Sequence, residues 1–166
     1  ALYVGTGLGN ALYIHGRFLD GKNGVAGELG HIPVLDKNEP CPCGNEGCIE
    51  LFCGGRRLEK IREEYYPNVP FPELFSRCKG SEPLSAYLDA MAAAAATEIN
   101  ILDPDCVLLS GGVIHMADFP YDDLLLRIRG YVRKPFPEQS LNFVRGIADA
   151  FSGVLGAGIY MWDLIS

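Results

Sequence analysis

Apolar and polar positions along this chain change period several times, and glycine or proline marks most of the changes. Leu2-Tyr3-Val4 is a short apolar run that stops at Gly5-Thr6-Gly7-Leu8-Gly9, the pattern of a strand entering a tight turn. Ala11–Ile14 and Arg17–Leu19 flank His15-Gly16 and predict a β-hairpin. Residues 21–30 hold four glycines and read as loop, and Pro40–Cys48 reads as a tight irregular loop. Gly54-Gly55 precede a helical pattern over Arg56–Tyr66, and Pro72–Cys78 predicts a shorter helix, with Pro67 and Pro70 between them. The strongest helical pattern is Leu84–Leu102, which contains the run Ala92–Ala96 and ends at Asp103-Pro104. Cys106–Leu109 is apolar without alternation and predicts a strand buried on both faces. Ser110-Gly111-Gly112 then turns the chain, and Pro120 opens a predicted helix over Tyr121–Val132. Leu141–Val144 predicts another strand. Ser152–Leu164 predicts a last helix in which Gly156 and Gly158 allow close packing. Strands and helices are mixed, so the class is α/β or α+β.

Composition narrows what such a chain does. At 166 residues it fits one domain, and 48% hydrophobic against 21% charged residues excludes a mostly disordered chain. Fourteen basic against 21 acidic residues give a net charge of -7, which supplies no footprint for nucleic acid or an anionic membrane. No apolar run approaches the roughly 20 residues of a membrane span, and no basic-then-apolar leader is present. A cytoplasmic protein is expected. The first residue is Ala1, not Met, and Ala1–Val4 reads as the middle of a strand, so the sequence is expected to begin inside a longer protein.

Six cysteines stand at 41, 43, 48, 53, 78 and 106, and three of them fall within eight positions behind a histidine. In a reducing compartment that pattern favours a metal over disulfides. His31, Cys41, Cys43 and Cys48 follow the spacing H-x9-C-x-C-x4-C. Three thiolates and an imidazole suit tetrahedral zinc, and four protein ligands leave no open position, so the ion expected is structural. The bland alternative is three reduced cysteines in a turn. Cys53, Cys78 and Cys106 read as core or half-buried thiols, and His15 and His115 as turn or surface residues. Glu28 lies three residues before His31, so a helical turn places both on one face, and Glu50 lies two residues after Cys48. The two carboxylates are either surface charges steadying the loop or, with the imidazole, the polar walls of a pocket for a polyol.

The glycine loops are weak signals taken singly. No Lys-Ser/Thr pair follows Gly5-Thr6-Gly7-Leu8-Gly9, so it is not a Walker A loop, and its third glycine comes one position early for a dinucleotide fingerprint. It is either an ordinary β-turn or a hairpin turn whose backbone N–H groups and Thr6 hydroxyl meet an anion. Ser110-Gly111-Gly112 is likewise a plain strand-to-helix turn or a close approach for a nucleotide.

Together these segments resemble the ROK family of bacterial sugar kinases and repressors. The resemblance rests on Gly5-Thr6-Gly7-Leu8-Gly9, on Gly24-Val25-Ala26-Gly27-Glu28-Leu29-Gly30-His31, on Cys41-Pro42-Cys43-Gly44-Asn45-Glu46-Gly47-Cys48-Ile49-Glu50, and on Asp103-Pro104 followed by Leu109-Ser110-Gly111-Gly112. It implies an α/β fold of the actin-like ATPase (ribonuclease H-like) type, here one lobe with a zinc-binding loop. By that comparison Glu28, His31 and Glu50 match the sugar-hydroxyl ligands, with one His31 nitrogen on zinc and the other toward the sugar. Gly5, Thr6, Gly7 and Gly9 match a phosphate loop, and Gly111 and Gly112 a nucleotide segment; ATP, Mg and a homodimer are implied. Glu28–Pro33, Ile101–Asp105 and Phe119-Pro120 resemble the members that phosphorylate D-allose, at O6.

Two departures stand against the family pattern. Ser110 occupies a place that is often glycine, which is tolerated if its backbone geometry is ordinary. The aspartate phosphate loop and the catalytic aspartate of the family's N-terminal lobe have no match within residues 1–166. Asp103 and Asp105 read as a turn and cap rather than a base. The chain is therefore expected to be the C-terminal lobe of a two-lobe sugar kinase, inactive by itself. The alternatives are a sugar-sensing repressor that binds DNA through an upstream winged helix, and a zinc-stabilised fold with no small-molecule site.

Overall fold

A four-stranded sheet lies at the centre of the computed structural model, which describes residues 1–147 and 151–165, the last three by backbone alone. The strands are β1 (Leu2–Val4), β2 (Leu8–Asn10), β3 (Tyr13–Ile14), β4 (Arg17–Phe18), β5 (Val107–Ser110) and β6 (Phe143–Arg145). The main sheet has the order β2-β1-β5-β6, and β3 and β4 form a separate hairpin. β1 pairs antiparallel with β2, with Tyr3 opposite Gly9. β1 pairs parallel with β5, and β5 parallel with β6. Parallel pairing makes β1 and β5 leave the sheet at the same edge. The turn after Val4 and the turn after Ser110 therefore lie side by side, as ligand loops do at the carboxyl ends of α/β strands.

The helices are α1 (Glu50–Cys53), α2 (Gly55–Tyr65), α3 (Leu74–Arg77), α4 (Glu82–Leu102), α5 (Tyr121–Tyr131) and α6 (Ser152–Ile165). α4 forms because Leu84, Tyr87, Leu88, Met91, Ala95 and Ile99 recur at three- and four-residue steps and are all buried. The small residues Ala92, Ala94, Ala95 and Ala96 let neighbours approach its backbone closely. Each fully buried Leu or Ile on this stripe contributes roughly 1.5–3 kcal/mol by transfer from water. Asp103 ends α4 in the left-handed region, φ 46°, with its N–H on Ile99 O at 2.9 Å. That is the turn-and-cap role expected of it. Arg127 of α5 clamps α4 through Asp89 at 2.8 Å and Ser85 Oγ at 3.0 Å.

Several expectations need adjusting. The apolar run Cys106–Leu109 predicts burial on both faces, but the strand alternates: Val107 and Leu109 are in the core, whereas Cys106 is exposed and Leu108 is 38% exposed. The core gathers on one side of the sheet, with Leu2 and Val4 in it, and Tyr3 shares the open face at 58% exposure. The Pro72–Cys78 helix divides into a 3₁₀ turn over Phe71–Glu73 and the single turn α3. Asp118, just before α5, accepts from Ser76 N at 3.0 Å and so holds α3. In the hairpin, His15 (φ 52°) and Gly16 (φ 80°) make the two-residue turn that the pattern predicts. α6 carries Val154, Leu155, Ile159, Met161 and Trp162 exposed, and among the described residues a Cβ at Gly156 or Gly158 meets nothing within 4 Å, so no close packing is seen at these glycines there. No helix among the described residues is long and apolar enough to cross a membrane.

Candidate functional site

His31, Cys41, Cys43 and Cys48 are brought together so that one ligand atom from each lies within 4.8 Å of the others. The loop does this with two local devices. Cys41 N–H donates to Asn45 O at 2.8 Å and Gly44 N–H returns to Cys41 O at 3.0 Å, which curls residues 41–45 so that the thiols converge. An isolated bridge between Pro40 and Glu46 closes the loop, and one between Pro33 and Cys48 fastens it to the segment after His31. Tetrahedral zinc at about 2.3 Å from sulfur and about 2.0 Å from nitrogen needs ligand edges of about 3.5–3.8 Å. Two edges are of this length: Cys41 Sγ to His31 Nδ1 is 3.7 Å and Cys43 Sγ to Cys48 Sγ is 3.6 Å. The donor set therefore fits a tetrahedral soft-metal ion. Burial pushes the Cys48 thiol up to about 12, with Cys41 and Cys43 adding to it, while a backbone hydrogen bond at Asn45 and then the Cys41 side chain hold the Cys43 thiol below its usual value.

The metal-facing atom of His31 is Nδ1, which leaves Nε2 at 3.5 Å from Glu28 Oε2. Glu28 immediately precedes the 3₁₀ turn Leu29–His31, so the helical turn inferred from their spacing is present, and it pairs the two side chains. The second ring nitrogen thus lies at ion-pair distance from a carboxylate, the kind of partner that orients a metal-bound imidazole. The imidazole and the Glu28 carboxylate form one polar edge, 32% and 61% exposed.

Glu50 lies against the same turn, at Gly30. It opens α1, and its Oε2 accepts from the Leu8 backbone N–H at 2.9 Å. Gly7 and Gly30 make room for it: a Cβ on Gly7 would overlap Glu50 Oε2, and one on Gly30 would stand 3.3 Å from Glu50 Cβ. Ile49 N–H donates to Ile32 O at 3.0 Å, which sets α1 against the Glu28–His31 turn. One short stretch of chain thereby carries a carboxylate toward both the metal loop and the glycine hairpin. The α1 turn and the Leu8 contact were not legible in the sequence, because neither leaves a periodic or spacing signal.

The hairpin turn between β1 and β2 lies on the N-terminus of α2. Gly55 N–H donates to Gly5 O at 2.8 Å and Arg56 N–H to Thr6 O at 3.0 Å. The first amides of α2 are therefore spent on the turn, which also closes on itself through Gly5 N–H to Gly7 O at 3.1 Å and leaves Thr6 exposed. On the other side, Val113 N–H donates to Val4 O at 3.1 Å, so Val4 joins the turn of Gly5–Gly9 to that of Gly111–Gly112. Gly111 sits at φ 110°, and a Cβ there would overlap the Val4 carbonyl oxygen and stand 2.5 Å from its carbon. Only glycine fits this position. Ser110 is not among the residues of positive φ, so it keeps the ordinary geometry that the substitution requires. His115 lies in a turn, as read, but half-buried, with Nε2 at 3.1 Å from Ser110 Oγ. Cys53 is fully buried and Cys78 half-buried as expected, whereas Cys106 is exposed.

Known proteins resemble this chain in sequence and in fold. The sequence model of the ROK family matches residues 1–163. An N-acetyl-D-glucosamine kinase from Pectobacterium carotovorum subsp. carotovorum (strain PC1) is 34% identical over 128 residues, which are 68% of this chain and 42% of that protein. The chain thus spans less than half the length of that relative. Among solved structures, a ROK hexokinase from Thermus thermophilus superposes with a TM-score of 0.76 at 27% identity, covering 96% of this chain and 55% of the other. A ROK-family transcriptional regulator, a homologue of the E. coli MLC protein, superposes with a TM-score of 0.65 at 26% identity, covering 87% and 40%.

Proposed function

Because this chain belongs to the ROK family and has the α/β, actin-like ATPase fold of its sugar kinases, we propose that it is the C-terminal lobe, residues 1–166, of an ATP-dependent hexose kinase. The single observation that carries the reading is the hydrogen bond from Leu8 N–H to Glu50 Oε2, which couples the glycine hairpin directly to a carboxylate beside the Glu28–His31 edge. A phosphate loop and a sugar pocket have to be in register for phosphoryl transfer, since that chemistry depends on positioning and charge stabilisation. In this reading the turn of Gly5, Thr6, Gly7 and Gly9 lies against the phosphates, with the exposed Thr6 offering its hydroxyl, and Gly111 and Gly112 lie against the nucleotide. Glu28 and Glu50 accept hydrogens from sugar hydroxyls, and His31 Nε2, beside Glu28, adds a ring nitrogen to that edge.

Zinc on His31, Cys41, Cys43 and Cys48 supplies only a fixed frame for the loop, because four protein ligands close its coordination. Mg would accompany ATP. The catalytic base and the first phosphate loop belong to a partner lobe outside these residues, so residues 1–166 alone are expected to be inactive. Within the hexoses, the stretches Glu28–Pro33, Ile101–Asp105 and Phe119-Pro120 favour D-allose, phosphorylated at O6. A cytoplasmic homodimer taking hexose and ATP, with no nucleic acid bound by this lobe, completes the reading.

The test is phosphorylation by the full-length protein across a panel containing D-allose, D-glucose and N-acetyl-D-glucosamine. ATP-dependent turnover of D-allose supports the specific reading, turnover of another hexose corrects the substrate, and turnover of none removes the kinase. The similarity to a transcriptional regulator favours a second reading, a repressor that senses its sugar through the same pocket. A helix-turn-helix upstream of Ala1, with DNA binding that responds to hexose, would decide for it.

A further inference from the structure

The end of β5 carries a side-chain pair that the nucleotide reading does not use. Ser110 points to the half-open face of the sheet, opposite buried Leu109. Past the Gly111-Gly112 turn the chain folds back, with His115 N–H on Gly111 O at 3.1 Å and the imidazole Nε2 at 3.1 Å from Ser110 Oγ. The pair spans the turn. It is hemmed in from β6: Gly146 N–H donates to Leu109 O at 2.9 Å, and a Cβ on Gly146 would stand 2.6 Å from Ser110 Oγ. Arg145 donates to Ile114 O, one residue from His115, while its guanidinium lies 5.1 Å from the Tyr121 ring centre.

The turn needs such support. Gly111 cannot gain rigidity from a side chain, since a Cβ collides with Val4, and glycine loses the most conformational freedom on ordering. A turn ordered only when ligand arrives subtracts that ordering cost from affinity, whereas one ordered beforehand does not. We propose that the Ser110–His115 hydrogen bond is the brace that holds Gly111-Gly112 ready for nucleotide, which makes His115 a positioning residue for ATP. The proposal rests on the reading of this turn as the nucleotide segment. Either partner can carry the proton between them, so a glutamine amide at position 115 serves as well as the ring.

The experiment uses the full-length protein with His115→Ala, Ser110→Ala, the double variant and His115→Gln. Losing a hydrogen bond of ordinary strength raises the KM for ATP about three- to tenfold in each single variant. KM for hexose and kcat stay within about twofold. The double variant is no worse than the weaker single one, because both remove the same bond, and His115→Gln recovers most of the loss. An unchanged ATP KM in both single variants overturns the proposal. So do additive losses in the double variant, or a parallel rise in the hexose KM. If the parent phosphorylates no hexose, the kinase reading fails on its own account. Calorimetric affinity for a non-hydrolysable ATP analogue then judges the brace separately: weaker binding by both single variants supports it, and equal binding or none by the parent overturns it. Should His115→Ala fold poorly, Ser110→Ala with parental melting decides the matter in the same way.

Discussion

Replacing Glu50 separates its two roles. Its Oε2 accepts the Leu8 N–H at 2.9 Å, and Leu8 is 7% exposed, so Glu50→Ala leaves a buried amide without a partner. An unsatisfied buried donor costs about 1–3 kcal/mol. Glu50→Gln keeps an oxygen in the same place and loses only the charge assistance, about half the strength of the bond. Glu50→Ala is therefore expected to destabilise by about 1–3 kcal/mol and Glu50→Gln by under about 1 kcal/mol. The bond can be read locally as well, by amide exchange of Leu8, whose protection falls about 5- to 150-fold in Glu50→Ala for the same energy. Hexose binding behaves differently. A carboxylate accepting a sugar hydroxyl contributes about 1.5–3 kcal/mol, so both variants lose about 10- to 150-fold in hexose affinity by calorimetry. Parental Leu8 protection in Glu50→Ala would show that the contact holds nothing, and parental hexose affinity in Glu50→Gln would remove Glu50 from the pocket.

Other outcomes follow from single features. Gly111→Ala forces a Cβ into the Val4 carbonyl at φ 110°; strain of about 1–3 kcal/mol lowers the melting temperature by roughly 3–10 °C, and parental melting would disprove the overlap. Protein purified under reducing conditions should contain about one zinc per chain by metal analysis, since four protein ligands close one tetrahedral site, and Cys43→Ser should lower it; zinc near zero in the parent removes the metal. Burial pushes the Cys53 thiol up to about 12 from 9.0. Its proton is thus held by the folded chain after the unfolded chain has released it, so stability is intact below pH 9 and declines as pH rises from there toward 12. The slope is about 1.4 kcal/mol per pH unit. Denaturant melts between pH 8 and 10 should show this decline flattened in Cys53→Ala, and equal slopes would refute it.

What the linear sequence determines here is what depends on neighbours along the chain. Leu84–Leu102 is helical because its apolar residues repeat at helical spacing, and His15-Gly16 turns because the pair suits positive φ. The zinc-type ligand set is legible for the same reason: three of its members lie within eight residues, and no other fold of so short a loop separates them far. The Glu28–His31 turn was readable from its three-residue spacing, whereas Glu50 was placed by spacing only near the loop. Their arrangement was decided by contacts between segments: Leu8 donating to Glu50, Gly30 yielding space, and Ile49 pairing with Ile32. Long-range pairing also overturned local expectation in β5. Its apolar run gave no hint that one face would stay open, because burial depends on which layers cover a strand and not on the strand itself. The Ser110–His115 contact belongs to the same class. A serine in a glycine's place and a histidine five positions on carry no joint signal until the turn at Gly111 folds one back over the other, and hydrogen bonds of that kind are fixed by tertiary geometry alone.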